Sequence, residues 1–137
     1  MRRLIKTEAC LAEGAAWLSQ VEPRFATALV ATGPLSLRPR PDGFGALFSA
    51  IVSQQLSVAS ASAIWGRLQK ADITAAETVR ASSDDELRGA GLSRQKIRYA
   101  RALADAQIDF DAMRQKDDAE IIAILTDVTG IGIWTAE

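Results

Sequence analysis

The chain has 137 residues and a formal charge of −1, with sixteen Lys plus Arg against seventeen Asp plus Glu, no His and a single cysteine. That length suits one domain, and an apolar fraction of 48 % can supply a core unaided by disulfides or metals. Cys10 alone excludes an internal disulfide, and without His or a second Cys the usual zinc and iron–sulfur ligand sets are missing.

No stretch has the roughly 18 apolar residues of a membrane span. Lys6, Glu8 and Glu13 interrupt the apolar residues of the first segment, unlike a signal peptide. The expected setting is cytoplasmic and reducing, with no membrane partner. A charge near zero speaks against a nucleic-acid partner, but its distribution is uneven. Residues 88–101 carry Arg88, Arg94, Lys96, Arg98 and Arg101 without an acid, whereas residues 102–120 hold six acids against Arg114 and Lys116. A solvated helix side explains such a basic run more readily than a DNA contact does.

Helical periodicity recurs along the chain, with no run of alternating residues long enough for a strand, so the fold class is all-α. Thr7 caps a helix to about Gln20, with Leu11, Ala15 and Leu18 on one face and Trp17 beside them. Pro23 suits the first turn of a second helix ending at Gly33. Residues 33–43 hold three of the four prolines and read as a surface loop inside a single domain, 1–137. Residues 44–54 and 57–70 form two helices at the centre of the core, where Phe44, Phe48 and Trp65 are expected together with Trp17. Thr74 opens a short helix. Ser83 and Glu86 have the spacing of a capping box, and Gly89 and Gly91 stop the helix they start. Ser93 caps the next helix, whose stripe Ile97, Ala100, Leu103 and Ala104 leaves Arg94, Lys96, Arg98 and Arg101 mostly outward. A last full helix spans about 117–127, with acids in its first turn, where the macrodipole favours them.

The end of the chain is the most informative part. After that helix comes Thr129-Gly130-Ile131-Gly132, and then Ile133-Trp134-Thr135-Ala136-Glu137 as the first turn of another helix. Two glycines this close allow φ > 0 and a near approach by a partner. Amides at the turn and at the new helix start would point outward as donors for an anion, for which a DNA phosphate is the natural candidate. An ordinary turn between two helices is the alternative. Against it stand the amphipathic helix before, Ile131 as a hydrophobic pin, and Trp-Thr-Ala directly after.

Residues 125–136 resemble the helix-hairpin-helix of DNA glycosylases, and Gly-Ile-Gly-x-Trp-Thr-Ala is similar to the DNA-3-methyladenine glycosylase II family in particular. Residues 48–57, with Ile51-Val-Ser-Gln-Gln-Leu-Ser57, resemble that family's Ile-x-x-Gln-Gln-x-Ser helix end. Residues 87–96 resemble its Leu-Arg-x-x-Gly-x-Ser-x-x-Lys stretch. The three occur in family order, and the resemblance covers roughly residues 44–137.

What the resemblance implies is an all-helical glycosylase fold, with a helix-hairpin-helix over about 117–137, acting as a monomer on double-stranded DNA with a damaged base. Thr129, Gly130, Ile131, Gly132 and Thr135 would grip a phosphate beside the lesion. Backbone carbonyls of Thr126, Val128 and Ile131 would hold a monovalent cation, the one cofactor implied. Excision requires the base to be turned out of the stack. Gln55 would fill the gap, with Gln54 shaping the pocket; Leu56 as a wedge, or glutamines that merely end a helix, are the alternatives. Trp134 falls where bifunctional relatives carry a catalytic lysine and cannot form a Schiff base, which implies a monofunctional hydrolase. Its ring would face an electron-poor alkylated purine or else pack in the core.

The carboxylate that stabilises the oxocarbenium-like sugar is, by the same resemblance, an aspartate beyond the second hairpin helix. Neither Asp127 nor Glu137 matches it. A helix of residues 133–137 is a little over one turn, shorter than persists alone, and Ile133 and Trp134 need covering. The expectation is a shortened, inactive form of a base-excision repair enzyme for alkylated purines such as 3-methyladenine. A non-catalytic helix-hairpin-helix DNA-binding module is the alternative.

Overall fold

The computed structural model describes residues 4–137; residues 1–3, at the head of the segment weighed above as a signal peptide, lie outside it. The described residues form ten helices and no strand, and none is long and apolar enough to cross a membrane. The chain forms two compact units, Met1–Arg40 and Pro41–Glu137.

The first unit pairs α1 (Glu8–Val21) with α2 (Pro23–Thr32). Thr7 Oγ1 accepts the Cys10 amide at 3.4 Å, capping α1. Glu22 does the same for α2, taking the Arg24 amide at 3.1 Å, with Pro23 in the first turn and Gly33 at φ +79° closing the helix. The proline-rich loop is tied back where Glu8 Oε1 accepts the Leu37 amide at 2.9 Å. Neither helix has a fully buried side chain. Trp17, expected in the core, is instead 61 % exposed. Leu18, Val21, Phe25 and Val30 of the same two helices are exposed with it, so a lone helix pair does not enclose an indole.

In the second unit, α3 (Phe44–Ser53) is the centre, with Phe48, Ile51 and Val52 fully buried. It packs on α4 (Val58–Lys70) and on α7 (Arg94–Asp105). Phe48 meets the Trp65 ring edge-on at 5.5 Å and the Phe44 ring at 5.7 Å, so both partly buried aromatics lie against the core as expected. Along α7 the residues Ile97, Ala100, Leu103 and Ala104 are buried, the stripe read from the sequence, and the small Ala100 and Ala104 allow close packing by α3 and α5 (Ala76–Ala81).

Ser83 and Glu86 form the reciprocal cap of α6 (Asp84–Gly89): Glu86 Oε2 accepts the Ser83 amide at 2.7 Å, and Ser83 Oγ the Glu86 amide at 3.2 Å. These bonds hold the Glu86 carboxyl below its ordinary range. Two details differ from expectation. The helix after Thr74 starts at Ala76, because Thr78 Oγ1 accepts the Ala75 amide at 3.2 Å and supplies the cap from inside. A four-residue helix, α8 (Phe110–Met113), was not anticipated; Asp109 caps it at 2.9 Å, and Arg114 clasps Asp42 with bonds of 2.9 and 3.0 Å.

Not every cation of the basic run faces outward. Lys96 Nζ donates to the Val52 carbonyl at 2.6 Å, and Arg101 donates to the Val79 and Ser82 carbonyls at 3.0 and 2.9 Å while pairing with Asp84. Arg67 and Arg80 donate likewise to the carbonyls of Ala90 and Ala104. Each acceptor lies at or near the C-terminal end of a helix, where carbonyls lack intrahelical partners and the dipole favours a cation. Replacing Arg101 with Leu strands two such carbonyls. It should lower stability by about 2 kcal/mol, read as a lower urea midpoint with an unchanged slope.

Candidate nucleic-acid interface

The hairpin joins α9 (Asp118–Thr126) to α10 (Ile133–Ala136). Asp117 and Glu120 cap the start of α9 reciprocally, at 2.9 and 3.2 Å. At its other end Leu125 and Val128 enter the core, followed by Ile131, each under a tenth exposed. Ile131 is therefore the pin that its place between two glycines suggested. Its amide closes the turn on the Val128 carbonyl at 3.0 Å.

The two glycines are not equivalent: the positive φ and the open approach that the pair was expected to allow fall on different residues. Gly130 sits at φ +99°, and a Cβ there would lie 2.2 Å from Cγ of Tyr99, far inside contact distance of the ring. Gly132 is extended at φ −92°, and a Cβ on it would meet nothing within 4 Å. The fold forces a glycine at 130 and leaves open space at 132. Beyond that space, no backbone carbonyl among the described residues takes the amides of Gly132, Ile133 or Trp134. These donors can meet an anion that approaches the glycine closely.

Gln54 and Gln55 end α3 beside this turn. Gln54 Nε2 donates to the Gly130 carbonyl at 2.9 Å, a link across 76 residues of chain. Gln55 is exposed and in the left-handed region at φ 56°, a conformation costing a residue with a Cβ about 1–2 kcal/mol. Leu56 follows, 41 % exposed. Thr129 is exposed, and Thr135 is half-buried with its amide on the Gly132 carbonyl at 3.1 Å. Trp134 is 91 % exposed and Ile133 63 %, so a core position for Trp134 is not adopted.

Tyr99, not singled out from sequence, is the ring beneath Gly130. Gln95 Nε2 donates to its hydroxyl at 2.7 Å, and the Arg98 guanidinium lies 5.7 Å from its ring centre. One turn earlier Lys96 reaches the end of α3, and partial burial there lowers its pKa. Arg94 and Arg98 stay exposed on the outer side of α7. For a cation, the Val128 carbonyl already accepts the Ile131 amide, while no backbone amide among the described residues bonds the Thr126 or Ile131 carbonyl. Neutral carbonyls suit a monovalent ion, and the described residues hold no cluster of His, Cys, Asp and Glu for a harder or softer metal.

An all-helical fold, a buried Ile-pinned hairpin and a strained polar turn beside it define a helix-hairpin-helix protein. The family model for the HhH-GPD superfamily base excision DNA repair protein matches residues 48–134. The chain belongs to that superfamily. A DNA-3-methyladenine glycosidase from Bacillus halodurans has a similar crystal structure, with a TM-score of 0.74 and 32 % identity over 99 % of this chain and 64 % of that one. The Schizosaccharomyces pombe 3-methyladenine DNA glycosylase, in complex with abasic DNA, aligns with a TM-score of 0.77 and 25 % identity over 90 % of this chain and 66 % of that one. The chain thus spans about two thirds of the length of each. No curated protein matches it significantly. The resemblance to the 3-methyladenine branch read from three short motifs is the one these structures bear out.

Alanine at the two glycines separates their roles. Gly130→Ala should cost at least about 2 kcal/mol, since the clash is with a packed ring. Gly132→Ala should stay within about 0.5 kcal/mol of the parent, both read from chemical unfolding.

Proposed function

We propose that a protein carrying this chain is a monofunctional DNA glycosylase that binds duplex DNA as a monomer and hydrolyses the N-glycosidic bond of alkylated purines such as 3-methyladenine. The observation that carries this reading is Gly132. Its missing side chain answers no demand of the fold, and its own amide and those of Ile133 and Trp134 bond no backbone carbonyl among the described residues. The two solved neighbours supply the substrate class: both are 3-methyladenine glycosylases, and one is bound to abasic DNA.

In this reading the amides of residues 132–134 grip a phosphate beside the lesion, with Thr129, Gly130, Ile131 and Thr135 shaping the hairpin around it. The carbonyls of Thr126, Val128 and Ile131 would hold a monovalent cation, which supplies positive charge next to that phosphate. Gln55, exposed and strained, fills the gap left by the departed base and offers its amide to the orphaned partner. The exposed indole of Trp134 presents its face to a cationic alkylated purine. Indole has no amine for a Schiff base, so water is the nucleophile and the product is an intact abasic strand. No acid of this chain is assigned to that water. Asp127 and Glu137 follow α9 and α10 as their C-caps, each through its backbone amide, on the Ala123 and Ile133 carbonyls.

Gly132→Ala should weaken binding to a duplex with a synthetic abasic site about tenfold, one charge-assisted contact, at unchanged fold stability. Gln55→Gly should stabilise the fold by about 1 kcal/mol as strain is released, yet weaken abasic binding. A turn that only ended a helix would show the first effect without the second.

For the chemistry, the natural protein incubated with methylated DNA should release 3-methyladenine and leave strands uncut until alkali is added. A borohydride-trapped protein–DNA adduct would rule out the monofunctional reading. DNA binding with no base release would favour the non-catalytic module.

A further inference from the structure

The Gln-Gln turn and the hairpin lie 76 residues apart in sequence, yet they meet at one backbone unit, Gly130. From one side Gln54 Nε2 donates to its carbonyl at 2.9 Å. From another, the Tyr99 ring occupies the space where its Cβ would be. Tyr99 is itself fixed at its hydroxyl by Gln95, and the same helix α7 holds the end of α3 through Lys96 on the Val52 carbonyl at 2.6 Å. The result is a closed triangle of α3 end, α7 and hairpin, with a polar or packing contact on every side. Gln55 follows Gln54 directly and has its backbone held in a left-handed conformation.

We infer that Gln54 and Tyr99 are positioning residues that lock the spacing between the Gln55 side chain and the phosphate-gripping amides of residues 132–134, so that recognition of a vacant base position is coupled to the grip on the backbone. This rests on the function proposed above. The physical reason is geometric. A phosphate contact and an inserted side chain on one duplex must fit together, and a mismatch of about 1 Å between two such elements is enough to forfeit much of the second contact. A freely hinged turn would let each bind alone. A bond from Gln54 to the hairpin backbone makes one register available. Gln54 thereby acts through Gly130 and Gln55, with its amide nitrogen engaged by the protein.

The test is a double-mutant cycle on the ratio of affinities for abasic and intact duplex. Gln54→Leu keeps similar bulk and removes the donor; Gln55→Ala removes the inserted amide. If Gln54 positions Gln55, the Gln55→Ala loss of abasic preference, about tenfold in the parent, should shrink to about twofold in the Gln54→Leu background. Tyr99→Leu, which withdraws the ring from Gly130, should shrink it likewise and serves if Gln54→Leu proves unstable. A merely structural role would lower the melting temperature and leave the Gln55 effect at full size. Full multiplicative losses in a parent that prefers abasic DNA overturn this inference and leave the proposed function standing. A parent with no abasic preference overturns the proposed function, and the inference falls with it.

Discussion

The contact on which the site depends is that of one peptide unit, Gly130, with the face of Tyr99. Backbone and ring are so close that a single added carbon would sit 2.2 Å from Cγ. Such an approach is open only to glycine, and φ +99° makes the same demand independently. On either side Val128 and Ile131 are buried, so the turn enters the core by two side chains and rests on a ring between them. The short helix α10 inherits its direction from this seat. Four residues cannot hold a helical direction by their own hydrogen bonds, and the pinned turn before them does it instead.

Charge is distributed according to the same priority of internal structure. Lys96, Arg101, Arg67 and Arg80 are all engaged with carbonyls at helix ends, which leaves Arg94 and Arg98 as the exposed cations of α7 beside Tyr99. The acidic run is equally local. Asp109 and Asp117 cap helices, Glu120 completes a box, and Asp111 pairs with Arg114. A net charge near zero therefore says little about affinity for a polyanion, since most of the formal charges have partners within the fold. What faces outward at the hairpin is a set of neutral backbone amides, whose dipoles attract phosphate without entering any count of Lys and Arg.

Much of this was legible in the sequence, and for identifiable reasons. Helix starts were readable because Thr7, Ser83 and Ser93 bond amides three residues away, a local rule. The buried stripe of α7 was readable from period alone. Positions decided by distant partners were not. Nothing near Lys96 signals that it reaches Val52, and nothing near Tyr99 signals Gly130, since both partners come from elsewhere in the chain. Trp17 misled for a related reason. Its apolar character predicts burial only where a neighbouring element covers it, and the two helices of the α1–α2 pair bury no side chain fully, leaving Val21, Phe25 and Val30 exposed as well.

The unlike behaviour of the two glycines gives the motif a physical reading that the pattern Gly-x-Gly does not. A glycine can be required by the chain, through positive φ or a close neighbour, and then it reports on folding. Gly130 meets both conditions. A glycine at ordinary φ with empty space beyond it is required by neither, and alanine would suit the folded chain at least as well by restricting the unfolded one. Gly132 is of this kind. Its cost in chain entropy has no return inside the protein, whereas a phosphate oxygen approaching the amides beyond it would gain from the absent methyl. Folding thus accounts for the first glycine, and the proposed phosphate contact would account for the second. The residue between them, Ile131, holds both in register by being buried.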